Sequence, residues 1–88
     1  MESIKKKFSR MLDIPQESVL NVPYITVTGR EQLSIENFGG ILEYLPDNIK
    51  LKTSIGIIEI KGNKMNIKSM SDKSMTINGT ILCVEFSE

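Results

Sequence analysis

One short pattern occurs eight times along the chain. Apolar residues separated by a single position stand at Ile25/Val27, Leu33/Ile35, Leu42/Tyr44, Ile49/Leu51, Ile58/Ile60, Met65/Ile67, Met75/Ile77 and Leu82/Val84. Alternation with a period of two is the pattern of a half-buried strand. Taken two at a time, these alternations return every 16 or 17 residues, a spacing that marks an internal repeat. Turn formers separate the members of each unit: Gly29-Arg30-Glu31, Pro46-Asp47-Asn48, Gly62-Asn63 and Asn78-Gly79. These residue types suit tight turns with a positive or preset φ. The pattern therefore predicts one small all-β domain of four consecutive β-hairpins, about eight short strands, folded as a sandwich or roll. A β-solenoid with one coil per repeat is the alternative that the period allows.

The turns set a register. A three-residue turn at Gly29 pairs Val27 with Leu33 and Ile25 with Ile35, and a turn at Pro46-Asp47 pairs Tyr44 with Ile49 and Leu42 with Leu51. That second register places Glu43 opposite Lys50, a favourable cross-strand charge pair. A two-residue turn at Gly62-Asn63 pairs Ile60 with Met65 and Ile58 with Ile67. The last hairpin fits less well, because a tight turn at Asn78-Gly79 sets Ile77 against Thr80, so a longer loop or a bulge is expected there. The alternating apolar residues, with Phe86, form the predicted core. Tyr24, Ile41, Ile57 and Ile81 are left on the outer face, more apolar surface than a solvated sheet needs, and this makes them candidates for contact with a partner.

Ahead of the strands, Ile4, Phe8, Met11 and Leu12 fall at i, i+4, i+7 and i+8, with Lys5, Lys6, Lys7 and Arg10 on the remaining faces. This spacing predicts a short amphipathic helix over residues 1–14, ended by Pro15, followed by the β domain over 15–88. Ile4, Phe8 and Met11 form its apolar face, which can dock on the domain's own sheet, a partner or an anionic membrane.

Composition narrows the chemistry. The 88 residues include thirteen isoleucines and neither Ala nor His. The first two facts favour strands over a helical bundle, and the third removes the commonest general base and transition-metal ligand. Cys83 is the only cysteine, so no internal disulfide forms, and its place in the run "TILCVEF" reads as a small buried or half-buried hydrophobe. No apolar run is long enough to cross a membrane as a helix, and the N-terminus lacks the apolar centre of a signal peptide; the expected location is the cytoplasm. No carboxylate pair or phosphate-binding loop stands out. Catalytic, cofactor and metal sites are accordingly predicted to be none, with no small-molecule substrate expected.

Glu36 and Asn37, before Gly39-Gly40, are the best polar candidates for a contact site. The simpler reading of "IENFGG" is a corner where Asn37 satisfies backbone groups and the glycines let the chain turn. The net charge is zero but unevenly spread: residues 13–47 carry six acids and one base, and 48–73 carry six bases and two acids. An acidic stretch and a basic one favour head-to-tail self-association or a charged partner. The lysine-rich 48–73 stretch also admits a small nucleic-acid-binding barrel, although aromatic residues for stacking are few.

The ordered set P-x-I-x-V-x-G, L-x-I-E-N, G-I-L-E-Y and G-x-x-x-I-x-G, running from "NVPYITVTG" through "MTINGTILCVEF", resembles the YabP/YqfC family of sporulation proteins, especially its YqfC branch. The family usually has His after the I-E-N triplet, where this chain has Phe38. The resemblance implies a small non-enzymatic protein of spore-forming Firmicutes, acting in the mother cell during endospore formation. It also implies a gene beside that of a membrane-anchored sporulation partner; together with the surplus apolar surface, this gives the expectation of a module that assembles with itself or with a membrane-associated sporulation partner, through which it can sit at a membrane.

Overall fold

A computed structural model describes residues 22–88, so the helix predicted over 1–14, with Ile4, Phe8 and Met11, lies outside the described residues. The described chain is all-β. Six strands, β1 (Tyr24–Thr28), β2 (Gln32–Glu36), β3 (Phe38–Leu45), β4 (Asn48–Thr53), β5 (Gly56–Met70) and β6 (Ser74–Ser87), form one antiparallel sheet in the order β1-β2-β6-β5-β4-β3. Stacked solenoid coils would pair in parallel, so this arrangement excludes the solenoid. No helix occurs among the described residues.

The first two hairpins follow the predicted turns. Val27 faces Leu33 and Ile25 faces Ile35, and Tyr44 faces Ile49 across the Pro46-Asp47 turn. The third and fourth hairpins do not exist. Gly62-Asn63 and Asn78-Gly79 lie inside β5 and β6, which pair with each other: Ile60 faces Val84 and Ile67 faces Ile77. The four predicted hairpins are therefore one two-strand hairpin followed by a four-strand meander, and eight strands become six. The physical reason is that these glycines give room to a neighbouring backbone. A Cβ on Gly62 would stand 2.0 Å from the carbonyl oxygen of Thr80, and one on Gly79 would stand 2.6 Å from Cα of Met65. A glycine inside a strand commonly marks such a close approach or a bulge.

Around these glycines the β5–β6 hairpin bends. The register shifts between Lys61 and Gly62 and again between Asn63 and Asn66, Lys64 takes a left-handed φ of 51° and Gly79 a φ of 136°. Bulges of this kind raise local twist and turn a strand. On one side of the bend β1, β2 and the first half of β6 form one wing with the end of β5; on the other side β3 and β4 form a second wing with the first half of β5 and the end of β6. Leu33, Ile35, Met75 and Ile77 of the first wing and Ile49, Leu51, Ile58 and Ile60 of the second belong to a single buried cluster. The sheet is thus folded over its own core as a roll.

The repeat read in the sequence has a spatial meaning. Leu33↔Ile77 and Ile35↔Met75 join β2 to β6, and Ile49↔Ile60 and Leu51↔Ile58 join β4 to β5; each residue differs from its counterpart by 16 or 17. The turns repeat the relation. Gly79 N–H donates to Glu31 O (3.1 Å) and Ile81 N–H to Arg30 O (2.6 Å), while Gly62 N–H donates to Asp47 O (3.2 Å) and Met65 N–H to Pro46 O (2.8 Å). A pseudo-two-fold axis between β5 and β6 exchanges the wings, and the strand order reads the same from either end with β1 matched to β3. Each hairpin turn is pinned to the bend from its own side.

Two bulges move residues from their predicted faces. One in β3 pairs Ile41, not Leu42, with Leu51, so Ile41 belongs to the inner face and Leu42 is 53% exposed. The shift at Lys61/Gly62 buries Ile81 and exposes Leu82. Val27, Tyr44 and Phe86 keep their predicted parity but lie at margins where the opposite wing does not cover them, and all three are exposed.

Alanine substitutions should rank by backbone clearance in urea unfolding. Gly62→Ala and Gly79→Ala are expected to cost about 3 kcal/mol or more, since a backbone must move. Gly29→Ala meets no atom within 4 Å and only adopts a φ of 57°, so about 1 kcal/mol is expected. Gly40→Ala, in open space without a positive φ, should stay within about 0.5 kcal/mol.

Candidate interaction surfaces

The fold distributes the predicted contact residues rather than gathering them. Tyr24 and Glu36 face each other across β1 and β2, both exposed on the outer face of the first wing. Ile57 lies on the outer face of the second wing between Lys52 and Ser87, half-buried. Ile41 is on the inner face of β3, at the sheet's end.

Asn37 is the corner between the wings. β2 ends at Glu36 and β3 begins at Phe38, so one residue carries the chain from one wing to the other. It does so with a φ of 66°, in the left-handed region that Asn tolerates better than most residues. Its side-chain Nδ2 donates to Val22 O at 3.0 Å, and its backbone N–H donates to Lys73 O at 2.6 Å. Phe38, next along, is buried in the core.

The outer faces of the two wings differ in kind. Across the first runs a row of hydroxyls, Thr26, Ser34, Thr76 and Ser69, with Ser34 and Thr76 in hydrogen-bond contact at 3.3 Å. The pseudo-equivalent row across the second is Glu43, Lys50, Glu59 and Glu85. Lys50 pairs with Glu59 at 3.9 Å and Lys61 with Glu85 at 3.1 Å. The expected partner of Lys50 was Glu43, whose carboxylate instead accepts from Asn48 Nδ2. Two of the lysines in the predicted basic stripe are thus held by carboxylates, while Lys64 lies at the bend beside an open depression of about 530 Å³ with Glu31, Gln32 and Asn78.

Lys61, Glu85 and Cys83 form a small cluster on this charged face. The hydrogen bond and charge of Lys61 hold the Glu85 carboxyl below its ordinary range, and the hydrogen bond and charge of Glu85 raise Lys61. Partial burial, then the hydrogen bond to Glu85, raises the Cys83 thiol, which makes it a poor nucleophile. Among the described residues no three His, Cys, Asp or Glu side chains are grouped to hold a metal ion, and no helix is long and apolar enough to cross a membrane.

Of one exposed apolar group on β3, sequence reasoning named only Ile41. Ile41, Leu42, Tyr44 and Leu45 are all exposed on β3, an end strand of the sheet. The signal was present in "ILEYL": a nearly continuous apolar run belongs to a strand covered on both faces.

These features define a small all-β roll with an internal two-fold and an apolar end strand. The YabP family model matches residues 21–88, and YqfC of Bacillus subtilis (strain 168) is 31% identical over 85 residues, covering 97% of this chain and 91% of that protein. The chain belongs to the YabP family.

The ion pair gives a signed pH expectation. Because Glu85 is held below its ordinary pKa, its stabilising effect is present above the ordinary carboxylate range and is lost as pH falls through the lowered value; because Lys61 is raised, its part is lost as pH rises through the raised value. In an NMR titration Glu85 should therefore show a lowered midpoint that moves back toward the ordinary value in Lys61→Met. Cys83 should alkylate more slowly than a free thiol near neutral pH, and faster in Glu85→Gln.

Proposed function

We propose that this protein is a non-enzymatic interaction module of endospore formation that assembles with itself or with a membrane-associated sporulation partner, in the mother-cell cytoplasm or held by that partner at the membrane. Membership of the YabP family supports the process. One structural observation carries the interaction reading: large apolar side chains, among them Tyr24 at 61% and Phe86 at 63% exposure, lie along margins that the folded sheet leaves uncovered. A domain of this size has little apolar surface to spare, and exposed apolar margins of this kind mark contact surfaces.

The non-enzymatic part is supported by the absence of His from the sequence and by the engagement of Glu59, Glu85 and Glu43 with neighbouring side chains. The nucleic-acid alternative has less support, because ion pairs already neutralise Lys50 and Lys61.

Light scattering of the purified 9.9 kDa chain over a concentration series should give a mass above the monomer that persists at high salt, since screening weakens charge contacts but not apolar burial. Tagged protein should also retain a membrane partner from sporulating cells. A monomer at every concentration that retains nothing would overturn the reading, as would salt-sensitive RNA or single-strand DNA binding abolished by Lys50→Glu, Lys52→Glu and Lys64→Glu together.

A further inference from the structure

We infer that the free edge of β3 is the self-association site and that a second copy adds its own β3 there, antiparallel across a two-fold axis; this rests on the assembly reading above. β3 is an eight-residue strand at the end of the sheet. Among the described residues β4 is its one ladder partner, so one edge of its backbone presents unpaired N–H and C=O groups.

Natural sheets blunt such edges with short strands, proline, lysine or bulges. The internal two-fold supplies a comparison within the same molecule. The pseudo-equivalent edge, β1, is five residues long, follows Pro23 and carries Tyr24, Thr26 and Thr28 on its outer face, with two exposed large apolar residues, Tyr24 and Val27, against four on β3. On β3 the corresponding positions are Glu43 and Leu45, and a bulge adds Leu42. β3 has neither proline nor lysine, and Ile41, Leu42, Tyr44 and Leu45 are all exposed. Its bulges lie at Gly39 and Leu42, leaving Glu43–Leu45 in regular register with β4.

The edge is also fixed in place. The Tyr44 hydroxyl accepts from the Ile67 backbone N–H at 3.1 Å, tying β3 to the opposite wing. Its single acidic residue, Glu43, accepts a hydrogen bond from Asn48 Nδ2, which holds the side chain toward β4. The strand whose composition matches this edge is β3 itself: apolar on both faces, nearly neutral and of equal length. An isologous pair satisfies both copies' edges at once.

The test combines light scattering with hydrogen–deuterium exchange of the full chain. The wild type should form a dimer in which peptides spanning residues 40–45 exchange at least about tenfold more slowly than at monomer-favouring dilution. Leu42→Lys with Leu45→Lys replaces side chains already about half exposed, so circular dichroism should be unchanged while the dimer dissociation constant rises at least about tenfold. Val27→Lys, on the pseudo-equivalent edge, should leave it unchanged. A monomer at all concentrations overturns the inference. A dimer that survives both lysines with β3 unprotected also overturns it, and leaves self-association through another surface standing.

Discussion

The close passage of β5 and β6 at Gly62 and Gly79 is the constraint on which the rest of the structure depends. Two backbones cannot come this near if either carries a Cβ at the crossing. The close passage allows the long hairpin to bend, and the bend converts a six-stranded sheet, open at both ends, into a roll with an interior. Without it Leu33, Ile35, Met75 and Ile77 could not meet Ile49, Leu51, Ile58 and Ile60. The two short hairpins reinforce it, since the carbonyls of Arg30 and Glu31 and those of Pro46 and Asp47 accept the backbone N–H groups on either side of the crossing. These groups would otherwise be left unpaired where the ladder breaks.

The same glycines mark the limit of what could be read from the chain alone. Strand positions were legible because period-two alternation is local, and the registers at Gly29 and Pro46 followed from turn length. Gly62-Asn63 and Asn78-Gly79 carry the local composition of tight turns, yet both lie inside strands. Glycine has two uses, access to positive φ and absence of a Cβ, and a short sequence window cannot tell which is in force. The choice is made by Thr80 and Met65, which lie close to Gly62 and Gly79 across the hairpin. The exchanged faces of Ile41 and Leu42, and of Ile81 and Leu82, have the same origin, because a bulge reverses parity beyond it. The corner at Asn37 was legible because Asn tolerates a positive φ, but its partners Val22 O and Lys73 O are distant in sequence, and Gly39-Gly40 lie inside β3 rather than at the turn.

Exposure was legible for some strand residues and not for others. Tyr24 and Glu36 lie outward as their register implied. Only Ile41 of the run at β3 was named, because alternation was taken as sufficient and Leu42 and Tyr44 were assigned to a core that does not reach them. A strand apolar on both faces but placed at the end of a sheet is a conflict between local pattern and topology. Such conflicts tend to concentrate where function, rather than folding, has selected the residues.

The internal two-fold makes that distinction concrete. Positions it equates and that agree in character, such as Leu33 with Ile49, Ile35 with Leu51 and Gly62 with Gly79, are those the roll needs twice in order to fold. Positions it equates and that disagree are free of that demand. Thr26, Ser34, Thr76 and Ser69 oppose Glu43, Lys50, Glu59 and Glu85; Thr28 opposes Leu45. Folding alone requires neither a charged lattice on one wing and a hydroxyl lattice on the other, nor a short edge at β1 beside a longer, more apolar one at β3. A symmetric scaffold with asymmetric outer faces and edges can use its two ends differently: β1 is short and begins after Pro23, whereas β3 is longer and carries exposed apolar residues on both faces.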